Sequence, residues 1–147
     1  MSEMLKDPDE GSLADIAAYR ERSAMARWLD LSATIEDSRL LYRLGFAERH
    51  VGNPVIRALH GGVISTLLET AGTLEVVTRR TKPLRVRTIS VHVNYLRGAR
   101  DQDMLARVQV ARMGRRIAFL EATGWQTTEE EPVARAAIAL RVFEGEG

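Results

Sequence analysis

Residues 60–80 read HGGVISTLLETAGTLEVVTRR, and this stretch decides the fold. Ile64, Leu67, Leu68, Ala71, Leu74 and Thr78 recur at helical spacing, so the segment is predicted to be one long amphipathic helix from Gly61 to about Arg80. Pro83 lies just beyond its end. On a wheel of 100° per residue the apolar face centres on Ile64, Leu68 and Ala71. Glu69 falls roughly opposite, among Gly62, Ser65, Thr66, Gly72 and Thr73. Glu75 has a helical ion-pair partner in Arg79, whereas Glu69 has none three or four residues away. Gly72 costs a helix interior about 1 kcal/mol relative to alanine. A close neighbour is therefore expected on that face, either another backbone or a thin ligand.

Downstream, the hydrophobic period changes to two. Residues 84–97 are rich in Val, Ile and Thr, and residues 103–112 place Met104, Ala106, Val108 and Val110 on one side. A turn at Met113–Arg116 leads to 117–126, where Ile117, Phe119 and Trp125 share a face. An acidic turn precedes a last strand over 133–143. Upstream, residues 1–11 read as a flexible acidic tail. Ser12 to Asp15 resembles a capping arrangement for a helix over about 12–30. Residues 38–47 alternate as a strand, and 50–60, with Gly52-Asn53-Pro54, read as a loop. The expectation is an α+β fold in which four late strands meander beside one long helix. One sheet cannot cover itself and both faces of that helix, so a homo-oligomer is expected.

The 147 residues fit a single domain, taken as residues 12–147 behind the tail. With no cysteine, disulfides, thiolate metal sites and a cysteine nucleophile are excluded. His50, His60 and His92 lack metal-ligand spacing, so no metal is expected. The start of the chain has no apolar leader, no run is long enough to span a membrane, and a cytoplasmic protein is expected. The net charge of +1 conceals an asymmetry: residues 79–116 carry eleven Lys and Arg against Asp101 and Asp103. That pattern suits an anionic partner met locally. Nucleic acid and a phosphate-bearing small molecule are the candidates; the single interleaved aromatic, Tyr95, argues against a base-stacking platform, and the alternative is a solvated basic surface.

Two features carry chemistry. A carboxylate among small residues, as at Glu69, can act as base or nucleophile; the alternative is a surface acid packed by a neighbour. His60-Gly61-Gly62 opens the helix, where backbone N–H groups are unpaired and carry partial positive charge. A carbonyl oxygen at the Gly61 N–H would be polarised; the alternative is a tight junction capped by His60.

Together with the strand Thr88–Ala99, the turn Met113-Gly-Arg-Arg116 and the closing strand Pro132–Val142, these features resemble the hotdog-fold acyl-coenzyme A thioesterases of the phenylacetate-degradation (PaaI-like) branch. The similarity spans roughly residues 35–143, with the N-terminal helix as an addition. It implies a long helix wrapped by a curved antiparallel sheet, in dimers or tetramers whose active sites lie between subunits. It implies hydrolysis of acyl-CoA to acid and CoA without a cofactor. The Gly61 N–H would bind the thioester carbonyl, with Gly62 beside it. Glu69 of the other subunit would attack that carbonyl or activate water. Thr73 would help hold the water, Thr88 would lie close to the site, and His60 would orient the loop. Relatives commonly carry Asn or Gln six residues before the histidine; here that position is Pro54, and Asn53 is assigned the role. Arg97, Arg100, Arg115 and Arg116 would meet the CoA phosphates. The alternatives are a hydratase or dehydratase of acyl thioesters using His60 with Glu69, or a non-catalytic acyl-CoA-binding protein.

Overall fold

A computed structural model of the chain describes residues 4–145. Residues 1–3, 146 and 147 of the expected tail and domain lie outside the described residues. The helix α3, Gly61–Arg79, matches its expected bounds within a residue. Its length follows from an unbroken apolar face: Val63, Ile64, Leu67, Leu68, Ala71, Leu74 and Val76 are all buried.

A six-stranded antiparallel sheet wraps this helix. In chain order its strands are β1 Leu31–Glu36, β2 Arg39–Leu44, β5 Leu84–Tyr95, β6 Met104–Met113, β7 Ile117–Trp125 and β8 Ala134–Glu144. A separate hairpin joins β3 Val51–Asn53 to β4 Ala58–Leu59. The spatial order is β1-β2-β6-β7-β8-β5. This is the expected α+β hotdog architecture, with one correction. Only β6, β7 and β8 meander; β5 leaves α3 at the far side of the sheet and pairs with β8, from Leu84 opposite Glu144 to Tyr95 opposite Ala134. The other edge of β5 is open among the described residues.

The inward rows are apolar: Met104, Ala106, Val108 and Val110 on β6, Ala118, Leu120 and Ala122 on β7, and Ala136, Ile138, Leu140 and Val142 on β8. Ile117 and Phe119 do share a face, but it is the outer one, where they are 38% and 45% exposed. Gly72 faces the sheet, not Glu69. A β-carbon there would lie 2.9 Å from Ile138 Cδ1 and 3.3 Å from Leu120 Cδ1, so the close neighbour its sequence called for is β7 and β8.

The N-terminal segment is more ordered than its composition suggests. Leu5 is buried and bridges to Arg80, and the Lys6 N–H donates to the Arg79 carbonyl at 2.7 Å. The first helix, α1 Glu10–Arg22, starts earlier than expected because Asp9 is its N-cap: the Ser12 N–H donates to Asp9 Oδ1, and the Asp9 N–H donates back to Ser12 Oγ. Ser23 then breaks the helix and caps a short α2, Ala24–Trp28.

Candidate active site

The start of α3 is built by three close contacts. His60 takes extended backbone angles as N-cap, and its Nδ1 accepts the Gly62 N–H at 2.9 Å. The His60 N–H donates to the buried His50 carbonyl at 2.9 Å. Gly52 permits this approach, since a β-carbon there would lie 2.7 Å from His60 Cα. From the other side, Tyr95 at the end of β5 donates its hydroxyl to the Gly61 carbonyl at 2.8 Å. No acceptor among the described residues takes the Gly61 N–H. It remains at the positive end of a 19-residue helix, available to a ligand oxygen. His60 thus caps the helix, and one of its ring nitrogens and the Gly62 N–H are spent on each other.

Glu69 lies two turns along the same helix and is half-buried. Its Oε2 accepts the Thr88 hydroxyl at 2.9 Å. A bulge in β5 follows this contact. Register shifts between Thr88 and Ser90, so one residue is inserted against β8. Before it, Leu84 and Val86 face the helix; after it, Val91 and Val93 do. Thr88 is the last inward residue before the shift, and Ile89 is pushed out at 54% exposure. Gly62, Thr66, Glu69 and Thr73 form one stripe along α3 at helical spacing. It is only partly covered: Gly62 is exposed, and Thr66, Glu69 and Thr73 are half-buried. Thr66 turns its hydroxyl back to the Gly62 carbonyl at 2.6 Å. Thr73 makes no side-chain hydrogen bond among the described residues, leaving its hydroxyl available on the Glu69 side.

Eight residues separate Gly61 from Glu69, about 12 Å along a helix axis. The two groups of one chain do not meet on one carbonyl.

Asn53 is held elsewhere. Its Oδ1 accepts the N–H groups of Val55 and Ile56 at 3.0 and 3.4 Å, forming the turn that Pro54 initiates in the β3–β4 hairpin. The segment read as a loop is therefore a hairpin, and the structure does not bring Asn53 together with Gly61 or Glu69.

The arginines divide between the two ends of β5, a strand of about 36 Å. Arg97 and Arg100 follow Tyr95 and line a small cleft with Gln126 and Glu131. Arg115 and Arg116 line a larger one, about 850 Å³, at the opposite end. Sequence reading missed the depth of that second group. Arg85, Arg112 and Arg141 join it, and the guanidinium groups of Arg85 and Arg141 lie 5.1 and 5.0 Å from the Phe143 ring centre. None of these five arginines has a carboxylate within 4 Å among the described residues. The signal was visible as alternation: Arg85 and Arg87, and Arg141 with Phe143, share one outward strand face across β5 and β8.

A second acid went unnoticed as a buried group. Glu75 accepts the Tyr42 hydroxyl at 3.0 Å and Arg79 Nη1 at 2.6 Å. Burial pushes its carboxyl above the usual range, although Arg79 and Tyr42 pull it back. Burial first, and the Glu75 charge second, push the Tyr42 phenol well above its usual value.

The thioesterase superfamily pattern matches residues 57–133, the segment from the hairpin through β7 to the turn before β8. A provisionally assigned esterase of Halobacterium salinarum is 32% identical over 146 residues, covering 93% of this chain and 95% of that protein. Among solved structures, a Bacillus halodurans protein determined with CoA superposes with a TM-score of 0.75 at 21% identity, covering 95% of this chain and 97% of that one. The Escherichia coli PaaI protein of the phenylacetic acid degradation operon superposes at 0.77 and 16% identity, covering 92% and 95%. With the superfamily pattern over more than half its length and a full-length relative above 30% identity, on the hotdog fold it shares with PaaI, this chain belongs to the thioesterase superfamily.

Proposed function

We propose that the chain hydrolyses acyl-CoA thioesters at sites shared by two copies. The observation that carries this reading is the stripe on α3: an unengaged Gly61 amide at one end, a Thr88-held Glu69 carboxylate two turns on, and only small residues between. Two such helices can lie antiparallel. A twofold axis near Ser65 sets Gly61 of each copy beside Glu69 of the other and closes the gap that one chain leaves open. The open edge of β5 supports the same pairing, because an unpaired strand edge recruits another strand.

In that arrangement the thioester oxygen accepts the Gly61 N–H, which stabilises charge as the carbonyl carbon becomes tetrahedral. Glu69 either removes a proton from water as it adds to the carbonyl, or adds itself to give an anhydride that water then opens. In the first route the C–S bond breaks and the CoA thiolate takes the proton Glu69 removed from water; in the second the thiolate leaves as the anhydride forms and takes a proton from the water that opens it. Thr88 orients the carboxylate, and Thr73, one turn on, offers a hydroxyl to the water. The arginines receive the CoA phosphates. Antiparallel pairing along β5 brings Arg97 and Arg100 of one copy to the same end as Arg115 and Arg116 of the other. CoA in the Bacillus halodurans relative supports this substrate class. A hydratase using His60 as its base is less well supported, because His60 Nδ1 is committed to the Gly62 N–H.

Thiol release from acyl-CoA tests the chemistry, and mixed subunits test the sharing. Glu69→Ala is expected to cost at least about a hundredfold in turnover. Gly61→Pro removes the amide hydrogen at the first helical position, where proline is well tolerated. Each variant alone is expected to be inactive. Co-refolded together, they form mixed dimers with one intact site and recover measurable release. Recovery absent from well-folded mixtures would place both groups in one chain's site and sink the shared arrangement.

A further inference from the structure

The reaction divides its substrate at the carbonyl. The CoA half is polyanionic and has the arginines; the acyl half needs a different surface. One cleft adjoins the first turn of α3. It is about 360 Å³, at the small end of ligand pockets, and is lined by Met25, Trp28, Arg49, Val51, Val63 and Thr66, together with His60 and Gly62.

Its outer wall comes from α2. Trp28 is 39% exposed and Met25 is 50% exposed, yet Trp28 is firmly held. Its carbonyl accepts Arg49 Nε at 2.8 Å and the buried His50 Nε2 at 2.7 Å. The His50 Nδ1 accepts the Ala47 N–H at 3.1 Å, so the ring is a neutral tautomer with its proton on Nε2. That ring packs edge-on against the Trp28 indole at 4.9 Å. An aromatic fixed by a buried imidazole while its own surface stays open is preorganised for an apolar ligand. The rest of the lining agrees. No carboxylate faces the cleft, and Arg49 spends Nε and Nη2 on the Trp28 and Arg27 carbonyls. Thr66 spends its hydroxyl on Gly62 and leaves its methyl as contact surface. Gly62 adds no side chain between the Gly61 amide and the cleft; a β-carbon there would meet only the His60 ring.

We propose that the cleft between α2 and the first turn of α3 receives the acyl group of the thioester, and that this group is uncharged, apolar and compact, with Trp28 and Met25 setting its size. The inference rests on the reading of the Gly61 amide as the carbonyl donor. It makes the N-terminal helices part of the specificity machinery.

The test compares wild type with Trp28→Ala, Trp28→Phe and Met25→Trp on acetyl-, butyryl-, octanoyl-, palmitoyl- and benzoyl-CoA. Trp28→Ala is expected to raise KM for octanoyl- and benzoyl-CoA at least about tenfold, to affect acetyl-CoA far less, and to move the chain-length optimum upward; this follows from losing most of one aromatic's contact area. Met25→Trp moves the optimum downward, and Trp28→Phe keeps the wild-type profile. Octanoate and benzoate quench Trp28 fluorescence in wild type, and the quenching disappears in Trp28→Phe, which retains only Trp125. Equal losses on every acyl-CoA, or an unchanged profile, would overturn the proposal. So would a Trp28→Ala variant that loses its oligomeric state but keeps its chain-length preference, since a partner chain would then own the cleft. If wild type releases no thiol from any acyl-CoA while Trp28 is still quenched, hydrolysis fails and the apolar cleft stands.

Discussion

At the scale of single residues, two carboxylates on α3 face opposite problems. Glu69 is half-exposed and needs orientation more than neutralisation; the Thr88 hydroxyl supplies it at 2.9 Å. A hydrogen bond to a charged group contributes about 1.5–3 kcal/mol when buried, and the exposed setting here favours the lower end. Thr88→Val is therefore expected to lower kcat about tenfold with KM little changed, and Thr88→Ser to restore it. Equal effects of Val and Ser on kcat would show that the strand's shape matters and the hydroxyl does not. Glu75 is buried, and burial outweighs the pull of Arg79, Tyr42 and the more distant Arg39 on its carboxyl. The sign follows directly. Below its ordinary value of 4.5 the group is neutral in folded and unfolded chains alike. As pH rises above that, the unfolded chain ionises first, so the stability the folded state draws from Glu75 is lost up to the raised value. Glu75→Gln cannot ionise. Its melting temperature is expected to gain on wild type as pH rises from about 4.5 toward neutrality. Thermal melts in which wild type gains on the variant instead would show that the Arg79 pair outweighs burial.

At the scale of elements, what could be read from the chain depended on whether the signal was local. The bounds of α3 were legible because one apolar face, a glycine pair at its start and Pro83 after its end all agree. Glu69 stood out on the same helix for want of an ion-pair partner, whereas Thr88 entered only through the resemblance to relatives. That Thr88 bonds Glu69 was not legible, because the contact joins the helix to a strand nineteen residues on, and only their packing reveals it. Asp37 and Ser38 have φ of 54° and 60° and join β1 to β2 in a two-residue turn, with Glu36 opposite Arg39. Asp-Ser is a weak substitute for the usual Asn-Gly or Asp-Gly, so β1, Leu31–Glu36, is left unassigned between the expected helix over 12–30 and the expected strand over 38–47. Gly72 gave a true signal with the wrong address: sequence marks a close approach, and only the sheet's position shows that Ile138 and Leu120 make it. The path of β5 to the far edge has no local signature, since it depends on which side of the sheet α3 crosses. Asn53 was chosen by position before the histidine, and Pro54 diverts it into a hairpin turn.

At the scale of the whole molecule, the proposed chemistry ties the separation of Gly61 from Glu69 to assembly. Under the proposed shared-site arrangement, a chain that keeps its donor and its acid about 12 Å apart along one helix contributes half of each of two sites. The partly covered stripe on α3 and the open edge of β5 lie on the side of the fold that a second copy would have to approach. Ile89 stands on that edge, extruded by the bulge and 54% exposed, and it is not packed against the core among the described residues. Ile89→Asp puts a like charge from each copy at the proposed seam, and like charges facing across paired strands are destabilising. The variant is expected to sediment as a monomer, to keep the far-ultraviolet circular dichroism of wild type, and to lose at least about a hundredfold in acyl-CoA turnover although no residue named in the chemistry has changed. Its tryptophan quenching by octanoate is expected to persist, because α2 and the first turn of α3 belong to the same chain. A folded monomer with wild-type turnover would show that one chain suffices, and Glu69 would then need a different electrophile from the one held at Gly61.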